Sequence, residues 1–514
     1  MNDKHKFKPA ALALAAGTAA ASCVHIQLPT ENIQTETSRN NPTSKKKTPN
    51  ILLIAVDDLR TELNCYGAAY IKSPNIDALA NKGVLFERAY CQQAVCAPSR
   101  ISLLTGMRPD STKITDLKHP LRKTNPKLLS MPQYFKENGF TTISLGKIYH
   151  HHDDDNGIGW SEPAWHPNDL PDKKWKYNGY LSPESWKMMG LKPGQKAKGW
   201  RKGPAFESPN VPDEEYPDGK LAIKAIETLK RLKKEGKPFF LGVGFQKPHL
   251  PFNAPKKYWD LYPLNSIKLP EQKDWPKGMP PMAPNGKNGN WEIANYPDIP
   301  NKRPLPDKLA KTLIRGYRAC VTFTDAQIGK LLKALDDLGL ADDTIVVLFG
   351  DHGWKLDEYS AWCKHTNFEL DTHAPLIIAA PGKKAGAKTK ALVEFVDIFP
   401  TLCQLASLPI PKSCEGTSMV PLLENPDTPW KKAAFSQFPR YHIMGYTMRY
   451  GRWRYTEWID AKTGEVKARE LYDHQKSPVA SENLADNPEF AYLVKRLSKI
   501  LDKGKGWKRL QKNR

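Results

Sequence analysis

The chain has 514 residues, with 77 Lys and Arg against 55 Asp and Glu, for a formal net charge of +22. That length exceeds one small core, so a large domain plus a smaller one is expected. The basic residues are scattered, and zinc-finger, helix-turn-helix and RNA-stacking motifs are missing, which argues against a nucleic-acid partner. The charge then suits a solvated surface or attraction to other polyanions.

Residues 1–23 open with Lys4, Lys6 and Lys8, followed by the short small-residue run AALALAAGTAAAS. This pattern predicts an export signal, too short to span a bilayer. It ends at Ala20-Ala21-Ser22-Cys23, which resembles the lipobox of bacterial lipoproteins. Lipidation of Cys23 would anchor the chain to a membrane. Ala20 stands where such boxes prefer Leu, so ordinary cleavage after a small residue is the alternative. Either way the expected place is outside the cytoplasm, in the periplasm or at the cell surface. Residues 24–48 lack apolar periodicity and predict a flexible linker.

"NILLIAVDDLR" (50–60) is an apolar run ending in Asp57 and Asp58. It predicts a strand buried on both faces, as parallel strands are. Helical patterns follow at 74–82 and 98–105, then a short strand in "TTISLGK". An amphipathic helix is predicted at 217–235 and a strand in "PFFLGVGFQKPH" (238–249). Residues 307–339 are helical in pattern, and "DTIVVLFGDHG" (343–353) and "APLIIAAPG" (374–382) are further strands. Such alternation implies a parallel, doubly wound α/β sheet over 49–423. Long loops are expected at 151–216 and 268–306, in a chain with 44 prolines. From 424 to 514, "YTMRYGRWRYTEW" and "ARELYDH" predict a small antiparallel sheet and then a closing helix at 488–502.

Polar residues stand where these strands run out, the place where open α/β sheets bind ligands. Asp57-Asp58, Lys247-His249 and Asp351-His352 arrive on separate strand ends, which points to one site. Adjacent buried carboxylates disfavour each other without a counter-ion. A hard divalent cation is the usual remedy, with a helix cap or exposed turn as the plain alternative. Asp351, arriving the same way, favours the metal.

Eight cysteines occur, at 23, 65, 91, 96, 320, 363, 403 and 414, without a CxxC pair. That argues against zinc or thioredoxin-like chemistry. Cys403 and Cys414 flank a proline-containing loop and could be bridged or free. Pro98 suits a helix start and Gly106 its end, which puts Cys96 at a helix N-terminus. Taken alone, Cys96 is either a low-pKa thiolate nucleophile or an inert buried cysteine.

Cys96-Ala97-Pro98-Ser99-Arg100, with Leu104-Thr105-Gly106 downstream, resembles the C-x-P-S-R signature of type I sulfatases. In that family a maturation enzyme converts the cysteine to formylglycine. The strand end Asp57-Asp58, "GKIYH" (146–150), "KPH" (247–249) and "DHG" (351–353) resemble the family's other marks. "QKPHLPF", "GDHGW", "KHTNFELDTHAPLI", "SQFPR" and "IMGYTMRYGRWRYTEW" are similar to segments of the iduronate-2-sulfatase subgroup.

The resemblance implies an alkaline-phosphatase-like α/β/α sandwich with a large, mostly parallel sheet, plus a smaller C-terminal α+β domain with an antiparallel sheet. It implies one Ca2+ held by Asp57, Asp58, Asp351, His352 and the modified Cys96. His352 stands where many sulfatases have Asn, and nitrogen suits calcium less well than oxygen. Arg100, Lys147, His150, His249 and Lys364 would surround the sulfate. His249 would protonate the leaving alcohol, His150 would take a proton from the second hydroxyl of the formylglycine hydrate, and Arg100 would hold that hydrate. Trp354 would wall the sugar pocket.

The implied activity is hydrolysis of an O-sulfate ester on a sulfated saccharide, with a 2-O-sulfated uronic acid as one candidate. The rivals are a phosphatase or phosphodiesterase of the same superfold and a non-catalytic binder of sulfated glycans. His150-His151-His152 and Asp153-Asp154-Asp155 resemble a metal tract, but a solvated loop with only His150 inward is the simpler expectation. His365 and His373 are expected as core or loop histidines, and Tyr317 and Asp325 as plain helix residues. After "DHGW" the iduronate-type members carry a Leu-Gly-Glu-His-Gly-like run. Lys355-Leu356-Asp357-Glu358-Tyr359-Ser360 replaces it here and is expected to face the substrate.

Overall fold

A computed structural model describes residues 48–508, except 152–153, 168–178, 193–194, 196–201 and 286–291. The predicted signal, with Cys23, and the linker lie outside the described residues, as do His152 and Asp153. The chain from Lys47 onward is one compact unit. Among the described residues no helix is long and apolar enough to cross a membrane.

The strands are β1 (Asn50–Val56), β2 (Val84–Tyr90), β3 (Thr141–Gly146), β4 (Phe206–Glu207), β5 (Phe239–Phe245), β6 (Phe252–Asn253), β7 (Thr344–Gly350), β8 (Leu376–Ala379), β9 (Ala387–Glu394), β10 (Ala433–Arg440), β11 (Ile443–Tyr450), β12 (Trp453–Asp460) and β13 (Val466–Asp473). A seven-stranded sheet runs in the order β3-β5-β1-β7-β8-β2-β9. β10 to β13 form an antiparallel sheet, and β4 and β6 make a short parallel pair.

The central strands β1, β5 and β7 are buried along their whole length. Successive side chains of a strand point to opposite faces, and β1 shows it. Leu52, Ile54 and Val56 enter the core shared with Pro217–Glu235 and Asp307–Asp337, two amphipathic helices. Ile51, Leu53 and Ala55 enter the other core, with the helices Cys96–Thr105 and Ile398–Leu405. Helices therefore cover both faces in the α/β/α sandwich expected. In the C-terminal sheet, Met448, Tyr455 and Leu471 pack against Leu497 and Leu501 of the closing helix Ala491–Leu501.

The large sheet is mixed rather than wholly parallel, because β8 runs antiparallel to both β7 and β2. A parallel return needs a long crossover, usually a helix. The chain between β7 and β8 instead loops over the strand ends, with just the 3-10 turn Glu358–Ser360 and the one-turn helix Glu369–Thr372 among its described residues. β2 and β9 lack a clean strand pattern. Glu87-Arg88 interrupts the apolar run of β2, and the sheet-edge strand β9 alternates exposed Lys388 and Lys390 with buried Thr389. Cys403 and Cys414 are not bridged, and no disulfide joins the other described cysteines.

Candidate active site

β1, β5 and β7 lie side by side and run parallel, so their C-terminal ends open at one place. β1 delivers Asp57 and Asp58, and β7 delivers Asp351 and His352, all fully buried. Asp58 takes φ +58°, a left-handed conformation that aspartate tolerates better than most residues. Its amide donates to Asp351 Oδ1 at 3.0 Å, and its carbonyl accepts from the Tyr317 hydroxyl at 2.8 Å. The same hydroxyl accepts from the Arg60 amide at 3.0 Å. Tyr317 is thus a prop under the aspartate turn, a role its helical pattern does not reveal.

Cys96 begins its helix after Val95, and Gly106 ends it at φ +67°. Its sulfur lies 3.4 Å from Asp57 Oδ1 and 3.3 Å from His352 Nε2. Burial pushes the thiol well above its ordinary range, and the charge on Asp57 pushes it further. The helix N-terminus does not rescue a thiolate here, so an unmodified thiolate nucleophile is disfavoured.

One turn along, Arg100 is fully buried. Its Nε donates to Asp351 Oδ2 at 2.9 Å and its Nη2 to Asp57 Oδ1 at 3.3 Å. It also donates to the carbonyls of Lys147 and Ile148, tying the end of β3 to the cluster. In this arrangement Arg100 grips the carboxylates of Asp57 and Asp351.

Lys147 Nζ pairs with Asp57 Oδ2, and Lys364 Nζ with both oxygens of Asp58 at 2.9 and 3.0 Å. Burial favours a neutral Asp57, yet Lys147, His249, Arg100 and Lys364 outweigh it and hold the carboxyl well below its usual range. Asp58 moves the other way, raised by burial and by its neighbour Asp57 against the pull of Lys364. One oxygen each from Asp57 and Asp58, the Cys96 sulfur and a His352 ring nitrogen lie within 4.8 Å of one another, all buried. Asp351 Oδ2 stands 3.6 Å from His352 Nε2. Carboxylate oxygens in this number suit a hard divalent cation, and the residues present fit one.

His249 and His150 face the cluster in opposite electrical settings. His249 Nε2 is 3.1 Å from Glu292 Oε1 and 3.8 Å from Asp58 Oδ2, while its Nδ1 is 2.7 Å from the carbonyl of Leu250. Both ring nitrogens therefore face acceptors. His150 is pushed down to about 2, first by burial and then by Lys147. Its Nδ1 is buried without a hydrogen-bond partner among the described residues, which fits a neutral ring. The side chains of Lys147 and His249 are each 21% exposed, and they mark the mouth.

Glu292 went unread in the sequence. It descends from the proline-rich 268–306 loop and meets Lys364 at 2.9 Å, His249 at 3.1 Å and His365 at 3.6 Å. Burial would raise its carboxyl, but Lys364 and His249 hold it well below the usual range. No local pattern marks it, because its partners lie far off in the chain.

Several expectations need correction. Trp354 is fully buried, with Lys364 Nζ 4.9 Å from its ring centroid. It backs that lysine instead of lining an open sugar wall. Asp154 and Asp155 are buried anchors, not solvated loop residues. Asp154 accepts from the Leu121 amide, and Asp155 from Arg122 and Ser130. Asp325 accepts from the amides of Asn75 and Ile76 at the start of the 74–82 helix.

Lys355–Tyr359 is also internal. Lys355 pairs with Asp371, Asp357 with Lys273, and Glu358 with Arg60, while Tyr359 stacks on Trp275 with centroids 5.0 Å apart. Asp357, Tyr359 and Ser360 adopt φ of 77°, 60° and 51°. Such left-handed backbone ordinarily favours glycine and is held here by packing.

The sheet and the buried ionic cluster at its strand ends define an alkaline-phosphatase-like hydrolase. A family model described as Sulfatase matches residues 49–408, and one described as N-sulphoglucosamine sulphohydrolase, C-terminal, matches 350–506. The chain belongs to the sulfatase family and is a sulfuric ester hydrolase. Iduronate 2-sulfatase of Mus musculus is 35% identical across 87% of this chain and 92% of its own. The Homo sapiens protein of that name is 34% identical, across 88% and 94%.

Among solved structures, a protein in complex with its substrate D-glucosamine-2-N,6-O-disulfate superposes with TM-score 0.68 at 23% identity, over 90% of this chain and 99% of its own. A phosphonate monoester hydrolase from Silicibacter pomeroyi gives 0.70 at 23%, over 89% and 95%. Both share the fold, which therefore does not choose between sulfur and phosphorus esters.

Proposed function

We propose that this protein is an exported sulfatase that removes O-sulfate from a sulfated saccharide, with a 2-O-sulfated uronic acid as the leading candidate. The observation that carries this is Cys96: a C-x-P-S-R cysteine opening a helix, buried against Asp57 and His352, with its thiol pushed away from reactivity. A cysteine in that setting is a precursor rather than a nucleophile. Formylglycine at this position, made by a maturation enzyme, would supply a hydrated aldehyde as the nucleophile toward a sulfate ester. Asp57, Asp58, Asp351 and His352 would hold a calcium ion, which supplies charge stabilisation of the sulfuryl oxygens.

The remaining steps fall to the chain's own groups. Lys147 and Lys364 place positive charge over Asp57 and Asp58, where an anionic sulfate would sit. His249, with both nitrogens facing acceptors, is the proton donor to the departing alcohol. His150, buried and neutral, is the base for the second hydroxyl. Arg100 keeps Asp57 and Asp351 aimed and ionised. Two histidines with opposite environments thus divide acid from base. The iduronate 2-sulfatase names of the relatives favour the uronic acid. The N-terminal pattern favours export, with Cys23 as the lipid attachment.

The test is a panel of defined sulfated oligosaccharides beside sulfate and phosphate esters of one aryl alcohol. Release of sulfate from the saccharides, and faster turnover of the sulfate ester than of the phosphate, are expected. Faster phosphate turnover would overturn the reading.

A further inference from the structure

A cleft of about 550 Å3 opens at the far edge of the large sheet, between β9 and the beginning of the C-terminal sheet. Arg88 of β2, Lys390 of β9, Lys431 and Lys432 line it, with Trp430 and Tyr450 as aromatic walls. Lys431 is neutralised by Glu394 at 2.5 Å and Asp397 at 2.6 Å. The other three cations are not. Arg88 donates to the carbonyls of Lys390 and Gly451, and among the described residues no carboxylate lies within 4.0 Å of Arg88, Lys390 or Lys432. Asp427 is the only carboxylate in the lining. Burial lowers the Arg88 guanidinium and Arg449 adds to this, while Tyr90, Glu369 and Glu87 pull the other way without offsetting it.

Lysines on an edge strand ordinarily guard against pairing with another chain. That accounts for Lys388 and Lys390, but not for Arg88, which stands on the strand inside the edge. Nor does it account for the partly buried aromatic walls Trp430 and Tyr450. Four inter-strand steps separate β1 from β9, about 19 Å at ~4.8 Å per step. β2 and β9 run parallel to each other, and the antiparallel β8 makes β2 parallel to β7 and β1.

We infer that this cleft is a second binding site, which holds a distant anionic stretch of the sulfated polysaccharide whose ester is cut at the strand ends. The inference rests on the sulfated-saccharide reading above. Arg88, Lys390 and Lys432 meet sulfate or carboxylate groups, and Trp430 and Tyr450 pack against sugar rings.

The test uses the full chain and a Lys390→Ala/Lys432→Ala double variant, both positions being exposed. Heparin is the binding probe and a small aryl sulfate the turnover probe. The double variant is expected to bind heparin about tenfold more weakly at low salt, with the log–log salt slope flatter by roughly 2. Its aryl sulfate turnover should be unchanged. Lys233→Ala/Lys234→Ala, on the exposed face of the 217–235 helix, should leave heparin affinity near wild type.

An equal loss in that control, or an equal loss for a DNA duplex, overturns the site as a sulfated-glycan cleft. The two possible failures are distinguishable. Heparin held through the cleft by a protein that cleaves no sulfate ester refutes the proposed function. Full sulfate-ester turnover with heparin affinity indifferent to Lys390 and Lys432 refutes this site.

Discussion

Two buried ionic clusters in this molecule look alike in composition and differ in how they are closed. Beneath the C-terminal sheet, Glu394 and Asp397 meet Arg108 and Lys431. Backbone amides complete them: Phe435 donates to Glu394 at 2.9 Å, and Glu394 and Thr417 each donate to Asp397 at 2.8 Å. At the strand ends, Asp57, Asp58 and Asp351 are held mainly by the side chains of Arg100, Lys147 and Lys364, at a mouth lined by Lys147 and His249. Backbone donors fix a carboxylate for good, whereas long cationic side chains at an opening can turn to a ligand. The first cluster therefore staples two parts of the fold, and the second is built to exchange partners.

The largest expected difference is in turnover. Cys96→Ala should reduce sulfate release to background while leaving the melting temperature close to wild type, measured on the same preparation. Comparable activity in that variant would remove the distinction. The closed cluster should fail in the opposite way. Glu394→Ala leaves Arg108 buried without its carboxylate and Lys431 with Asp397 alone, and breaking a buried pair costs about 3–5 kcal/mol. Chemical denaturation should show that loss, with turnover per folded molecule retained.

Acid sharpens the same contrast. Despite burial, Arg108 and Lys431 hold the Glu394 carboxyl down to about 2, below its ordinary 4.5. Its contribution is fully present above 4.5 and is lost as pH falls toward about 2. Glu394→Gln should flatten the stability curve in that window.

At the open cluster, calcium should raise the melting temperature by the equivalent of about 2.7 kcal/mol at a hundredfold excess over Kd. Asp57→Asn/Asp351→Asn should abolish the shift, and an undiminished shift would place the ion elsewhere. The smallest effect expected is at Glu292. Replacing it with Gln removes the carboxylate facing His249 Nε2 and Lys364. Turnover of alkyl sulfates, which need their leaving group protonated, should fall about tenfold, and aryl sulfates much less. Equal losses for both would make Glu292 a structural residue.

Most of this site was legible because its chemistry is punctuated locally. β1 and β7 are apolar runs stopped by acids, and the C-x-P-S-R helix start is contiguous. What stayed hidden depends on partners distant in the chain. Glu292 acquires meaning only from Lys364 and His249, and Tyr317 only from the Asp58 carbonyl. Trp354 and the 355–360 segment follow the site motif directly, yet Trp354 joins the core under the large sheet, and Tyr359 packs against Trp275, Phe368 and the C-terminal sheet. The antiparallel β8 is set by its connection, and its residues read as any buried strand. At β9, lysines that shield the edge mask the strand beneath.

On the proposed function, Cys96 works only after conversion to an aldehyde. Mass spectrometry of the Cys96 peptide, on protein produced with a formylglycine-generating enzyme and assayed in parallel, tests it most directly. Sulfate-ester turnover should rise in proportion to the fraction carrying formylglycine and vanish with the unconverted thiol. Full turnover from protein whose Cys96 is intact thiol would contradict the account.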